Sequence, residues 1–482
     1  MAPSRPDDSK VKKQFGFPLF CGAWAPTKGP AAGAQSAEGL VVLAGGGGAG
    51  RHGIKSKIIA CKYSFSANEL SDEVFSLSTG ANPAFKITAH PNGDGLIAAF
   101  GDACRLFEVR PQEEEQQKGG GEAGTEGKEG SEEGGVPLEQ LQLVQSAVQL
   151  NAGEEKGRGE RGGKEEEEEK VAEVKCLLFS ADGCRVVAGS EDGRLRVFEW
   201  PSMEVAMEVP RAHTSSLRDA DINLDGSLVA TTADAGPLRV WSVRKGTAVA
   251  TLSIAEGGAR FGLCRFSRDP SKPLLYSTCV KAGKGWVVVW ETAAWRRVAV
   301  RKIHNDPISA FAISPDSTLL ATGTPEGNVF IVDARTLSVR QRVVGAHLVF
   351  VTGLDFAPNS RALLSVSGDS SARVTAVAAK PAGQAWVAML ILTALGLLAL
   401  ALLLSASDLV HQLLGPEYSP YLHLLSSYLQ LFSAYVRHLF RYLDLLLVYL
   451  RQLSPYLKQL LLYLQELSLQ LRGLLGAGQQ MQ

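Results

Sequence analysis

ADGCRVVAGSEDGRLRVFEW, residues 181–200, is the stretch whose reading decides the fold. A tight-turn pair, Asp182-Gly183, opens onto the apolar run CRVVAGS. A polar turn follows, and then a second run, RLRVFEW. Short alternating runs rich in β-branched residues and bounded by Asp and Gly mark antiparallel strands, because each strand shows one face to a core and the turn residues tolerate the reversal. Downstream the unit recurs. Its turns fall at Asp225-Gly226, Asp269-Pro270, Asp316-Ser317 and Asn359-Ser360, at successive spacings of 43, 44, 47 and 43 residues. Each turn precedes a β-rich run (SLVATTA, PLLYSTC, STLLATG, RALLSVS) and then another (PLRVWSV, GWVVVWE, NVFIVDA, ARVTAVA).

A period of 40–45 residues with four strands per unit is the signature of a WD40 β-propeller. Two further units lie upstream, GLVVLAGG…KSKIIACKY over 39–63 and FKITAHPNGDGLIAAFGDACRLFEV over 85–109, which brings the total to seven. Residues 14–24, with FGFPLFCGAW over 15–24 as their apolar part, are expected to add a strand that completes the last blade and closes the ring, so that no sheet edge is left open. His213, His304 and His347 stand just before the first strands of their units, and Trp200, Trp241 and Trp290 close third strands. One histidine per unit suits hydrogen bonding within a blade better than convergence on a metal.

The chain has 482 residues with 45% hydrophobic and 21% charged, ordinary globular values that exclude a wholly disordered or collagenous protein. The net charge of −1 hides two opposed parts. Residues 111–173 carry 18 Asp/Glu against 7 Lys/Arg, a net of −11, and the remainder is +10. That segment, mostly Gly, Glu, Lys and Gln apart from an apolar patch at 136–150, reads as a solvated spacer loop, with an acidic docking site as the alternative. All seven cysteines precede residue 280 without any CxxC, so they are expected as buried thiols in a reducing compartment. The first residues lack a signal-peptide core and are expected to be unstructured over 1–13. No nucleic-acid partner is expected.

Residues 386–404, WVAMLILTALGLLALALLL, hold 19 residues without a charge. As a helix they would extend about 28 Å, enough for one transmembrane span. Arg373 and Lys380 precede it and Asp408 and Glu417 follow, so the positive-inside bias puts residues 1–385 in the cytosol and 405–482 across the membrane. In that tail tyrosine recurs every seven residues from Tyr421 to Tyr463 beside an apolar heptad seam, a long amphipathic helix. Self-association and contact with membrane lipid are both open to it. The expected order is thus an N-terminus (1–13), blades one and two (14–110), the acidic loop (111–173), blades three to seven (174–380), the span (386–404) and the tail (405–482).

One loop departs from the repeat. In the first unit the tight turn is replaced by GGGGAGRHGIKSKI, residues 45–58. Gly45, Gly47 and Gly50 form GxGxxG, but a β-run follows where a dinucleotide site starts a helix, and the GK[ST] ending of a P-loop is missing. Consecutive glycines allow positive φ and expose carbonyls. Such a loop can wrap a small cation, project into a partner, or simply be a floppy hairpin.

LVVLAGGGGAGRHGIKSKI resembles the loop of the endoplasmic-reticulum transmembrane WD40 guanine-nucleotide exchange factors for the Sar-type small GTPase of COPII vesicles, the prolactin regulatory element-binding protein-like family. STCVKAGKGWVVVW (277–290) is similar to that family's fifth blade. GAHLVFVTGLDFAPNSRALLSVSGDSSARV (345–374) resembles its last, with the span directly after. The resemblance implies an exchange factor without bond chemistry of its own, which promotes GDP release. Its loop would hold a potassium ion through carbonyls at Gly45, Gly46, Gly47, Gly48 and Gly50, and act through Gly53, Ile54 and Ser56. The family's key asparagine aligns with Ser56, whose single hydroxyl has fewer donors. That departure keeps two alternatives open: a non-catalytic accessory for the exit of membrane transporters from the endoplasmic reticulum, and a generic membrane-tethered WD40 scaffold.

Overall fold

The computed structural model describes residues 8–26, 37–48, 53–93, 95–101, 103–111, 141–150, 172–254 and 258–378, together with Thr393 and Gly396. A 3-10 turn at Asp8–Lys10 leads into β1 (Lys12–Gln14). Blade one is β2 (Leu19–Ala25), β3 (Glu38–Gly45), β4 (Ser56–Ser64) and β5 (Glu69–Gly80). Blade two is β6 (Lys86–Ala89), β7 (Leu96–Ala99), β8 (Cys104–Pro111) and β9 (Leu141–Leu150). Blade three is β10 (Val174–Phe179), β11 (Arg185–Ser190), β12 (Leu195–Glu199) and β13 (Val205–Val209). Blade four is β14 (Leu217–Ile222), β15 (Leu228–Ala233), β16 (Leu238–Ser242) and β17 (Thr247–Leu252). Blade five is β18 (Arg260–Phe266), β19 (Leu274–Lys281), β20 (Lys284–Glu291) and β21 (Arg296–His304). Blade six is β22 (Ala310–Ile313), β23 (Leu319–Gly323), β24 (Val329–Asp333) and β25 (Val339–Val343). Blade seven is β26 (Val351–Phe356), β27 (Ala362–Ser367) and β28 (Ser371–Ala376), with β1 as its fourth strand.

Each sheet has four antiparallel strands, six of the sheets as sequential meanders and blade seven closed by β1, and the seven together make the all-β propeller that the repeat implied. The turn residues do the work their types suggested. Asp182, Asp225, Asp269, Asp316 and Asn359 each accept the N–H two residues on, at 2.9–3.1 Å. The next residue is left-handed in four of these turns, at Gly183, Gly226, Ser317 and Ser360. The described core resolves into seven hydrophobic clusters, one at each blade interface. Inner strands are also stapled to the next blade: Asp221 accepts Phe266 N at 2.6 Å, and Asp355 accepts Trp24 N at 2.9 Å, joining blade seven to blade one.

Three local expectations change. The closing strand is β1, Lys12–Gln14, which pairs with β28 through Lys12↔Arg373 and Gln14↔Ser371. Most of the nominated segment 14–24 is instead the innermost strand of blade one, since its apolar residues belong where burial is greatest. Residues 8–13, expected to be unstructured, form the turn and most of that closing strand. Within the expected loop 111–173, Leu141–Leu150 pairs with β8 as the fourth strand of blade two. A four-stranded sheet requires that partner, and the apolar patch supplies it. Residues 112–140 and 151–171 lie outside the described residues.

The histidine reading is met in two blades. His213 Nε2 lies 2.8 Å from Thr231 Oγ1, which also accepts from Trp241 Nε1 at 2.8 Å. His347 bonds Ser365 at 2.8 Å and Ser371 at 2.7 Å. His304, the last residue of β21, stacks on Phe330 with ring centroids 5.1 Å apart. Six cysteines are buried, Cys184 is exposed, and all seven are free. Among the described residues no helix is long and apolar enough to cross a membrane. The expected span 386–404, apart from Thr393 and Gly396, and the whole tail lie outside the described residues.

Candidate functional site: the glycine loop of blade one

The loop springs from the hairpin between β3 and β4. Its base is tightly determined. Gly45 pairs with Leu19 on one side and Lys57 on the other, and Ser56 pairs with Gly80. Gly46 N donates to Pro18 O at 3.0 Å. A Cβ on Gly45 would lie 1.9 Å from that same carbonyl oxygen, so the close approach admits only glycine. Gly46 has φ +146°, and a Cβ there would meet Ser56 Cα at 2.4 Å. Gly47 packs on the Ile54 side chain in the same way, its ideal Cβ falling 2.7 Å away. The glycines therefore let the two arms of the hairpin close on one another, a tighter arrangement than the floppy hairpin that composition alone allowed.

Further out, Gly48 and Gly53 are left-handed, at φ +69° and +68°, with open space around them. Ile54 presents a partly exposed aliphatic side chain, at 38%. Ser56 is fully buried at the base, under Gly46, and its Oγ has no hydrogen-bond partner. Of the residues nominated from sequence, Gly45, Gly46, Gly47, Gly48, Gly53, Ile54 and Ser56 are thus gathered in one hairpin. Gly50 lies outside the described residues. The resemblance gave Ser56 a role in the loop's action, and its hydroxyl lies buried inside the loop base.

No group of His, Cys, Asp or Glu that could hold a metal occurs among the described residues. A cation at the loop would therefore rest on uncharged oxygens, a donor set that suits a hard ion of low charge. The unpartnered Ser56 oxygen is such a donor, so the residues present fit that kind of ion.

At the same end of the strands the neighbouring blade is close. Val351↔Ser367 and Gln14↔Ser371 mark the loop end of blade seven, as Leu19↔Gly45 marks that of blade one. Thr352 Oγ1 donates to Leu19 O at 2.9 Å across the junction. The loop and the 344–350 connection between blades six and seven thus share one face. Sequence reasoning did not single out this connection as functional. Its signal was LVF at 348–350, directly after a turn, where an apolar triplet has no strand to occupy.

Fold and loop together define a WD40 propeller with a glycine-built hairpin on one face. Residues 168–199, 295–333 and 338–375 match the family described as WD domain, G-beta repeat. SEC12-like protein 2 of Arabidopsis thaliana is 33% identical over 334 residues, covering 69% of this chain and 74% of that protein. SEC12-like protein 1 of the same plant is 32% identical over 213 residues, 44% of this chain and 53% of that protein. The guanine nucleotide-exchange factor SEC12 of Rattus norvegicus is 25% identical over 399 residues, 76% of this chain and 93% of that protein. The chain belongs to the SEC12-like family.

Proposed function

We propose that this chain is a membrane-anchored guanine-nucleotide exchange factor that promotes GDP release from a Sar-type small GTPase and so starts COPII vesicle formation at the endoplasmic reticulum. The observation that carries the reading is the glycine hairpin: a base locked by Gly45 and Gly46 against Pro18 and Ser56, and a tip with exposed Ile54. The name of the rat relative, which aligns over most of both chains, supports it. No bond chemistry is needed. The hairpin has only to interact better with the nucleotide-free GTPase than with its GDP-bound form, and the difference sets the exchange. A close-packed base serves that end, because arms held together before encounter lose less entropy on binding.

In this reading the loop takes a potassium ion on carbonyls at Gly45–Gly48 and Gly50, with the Ser56 hydroxyl as a further oxygen. Bound there, the ion would tie the two arms of the hairpin together. Residues 386–404 form the single anchor, with the propeller cytosolic and the heptad tail luminal, free to self-associate or to lie against membrane lipid.

The accessory reading has one observation in its favour. Ser56, aligned with the family's key asparagine, is buried rather than presented to a partner. The experiment that decides is release of labelled GDP from a Sar-type GTPase by the wild-type chain, Ser56→Asn and Ser56→Ala, in potassium and in a large organic cation. Exchange by the wild type that weakens without potassium is the expected outcome. No acceleration by the wild type, with recovery in Ser56→Asn, would move the chain to the accessory class.

A further inference from the structure

Among the described residues ten large hydrophobic side chains are exposed, and four of them, Val344, Leu348, Val349 and Phe350, sit in one connection between β25 and β26. Leu348 is 81% exposed and Phe350 51%. Exposure of that size usually costs solubility and marks a contact surface. The backbone beneath is firmly tied. Leu348 N donates to Asp369 Oδ2 at 2.6 Å, and Gly345 N to Asn328 Oδ1 at 2.9 Å. His347 N bonds Gly327 O at 3.0 Å while its ring is buried against Ser365 and Ser371. Ser367 Oγ donates to Phe350 O at 2.9 Å. Polar groups of blades six and seven thus hold the apolar side chains outward, which is the opposite of what a collapsing loop would do.

We infer that Leu348 and Phe350 form a second, apolar foothold for the same GTPase that the glycine hairpin engages, binding a hydrophobic depression on its surface. This rests on the exchange reading above. The occupant is chosen by continuity: the connection lies on the loop face, in the blade joined to blade one through Thr352 and Leu19. A lipid surface is the competing occupant, and it fits less well. The chain leaves the propeller after β28, whose end is paired Ala362↔Ala376, at the far end of the strands from this face. The foothold adds affinity without touching the nucleotide site, and the hairpin adds the discrimination between nucleotide states. Removing the foothold therefore changes how much protein is needed, not how fast the saturated complex exchanges.

The test uses the full chain in detergent micelles and in neutral and anionic vesicles, titrated against a Sar-type GTPase loaded with labelled GDP. Binding to the nucleotide-free GTPase is measured in parallel by interferometry. Leu348→Ser, alone and with Phe350→Ser, is expected to raise the half-saturating concentration about tenfold or more and leave the saturating rate within about twofold. Leu348→Met and Phe350→Tyr should stay near wild type. Because Leu348 packs on little, its single variant keeps the test independent of folding. Variants that match wild type in both titration and binding would overturn the inference. So would variants that lose only vesicle association, which would hand the surface to lipid. If the wild type binds the GTPase without exchanging it, the exchange reading fails, while weaker binding in the variants still upholds the foothold. If the wild type binds no GTPase, both are wrong.

Discussion

Gly46 carries the most specific demand of any residue at the site. Its positive φ and the 2.4 Å separation a Cβ would have from Ser56 Cα leave no room for alanine without parting β3 from β4 at the loop base. Gly46→Ala is expected to lower the saturating exchange rate by about tenfold or more while the propeller stays folded, since the strain is confined to the base of one hairpin. GDP release beside a circular-dichroism melt checks both parts. The buried histidines give a pH signature. Burial lowers the His213 imidazole to about 4, against about 6.5 when unfolded. The unfolded chain therefore binds more protons between those values, and the stability His213 contributes is present above pH 6.5 and lost as pH falls toward 4. His304 and His347 are lowered by burial in the same direction. Asp355, pushed up to about 7 by burial, acts with the opposite sign. Comparing wild type with His213→Gln isolates one group. The melting-temperature advantage of wild type should be larger at pH 7.5 than at pH 4.5, and an equal gap at both would refute the assignment.

At the scale of elements, the three residues of β1 close the ring. They cover the edge of β28, and Arg373 reaches Asp8 at 2.9 Å. Without them Ser371–Ala376 becomes an open strand edge, the usual template for intermolecular pairing. Deleting residues 1–14 is expected to lower the melting temperature by roughly 5 °C or more and to promote concentration-dependent aggregation. Light scattering during a thermal ramp reads both. This element also shows where pattern reading falters. A run such as KKQ carries no hydrophobic period and gave no strand signal, yet it pairs because a blade edge is waiting for it. The apolar LFCGAWA looked like a closing strand and went to the core of blade one. β9 was similarly masked, since acidic sequence on both sides made one loop of the whole segment.

For the whole molecule the prediction concerns anchoring. Deleting 386–404 is expected to move the protein from the membrane pellet to the soluble fraction after cell lysis. Persistence in the pellet would assign a second attachment to the heptad tail. The propeller carries its own seven-part core, so the truncated protein should keep a melting transition close to that of the full chain.

Period and turn chemistry were legible in the residues alone. Asp, Asn and Gly at intervals of 43–47 repeat a local hydrogen bond that needs no distant partner, so five of the seven blades are legible from their turns, and the other two from apolar runs upstream. The glycine run stood out for the same reason, as local backbone freedom where other blades have a turn. Which strand closes the ring, the inward turn of Ser56 beneath Gly46, and the placing of Leu348 on the same face as the hairpin were decided only in three dimensions. Each depends on contacts between segments far apart in the chain, and local sequence sets the shape of a blade but not which neighbour it meets.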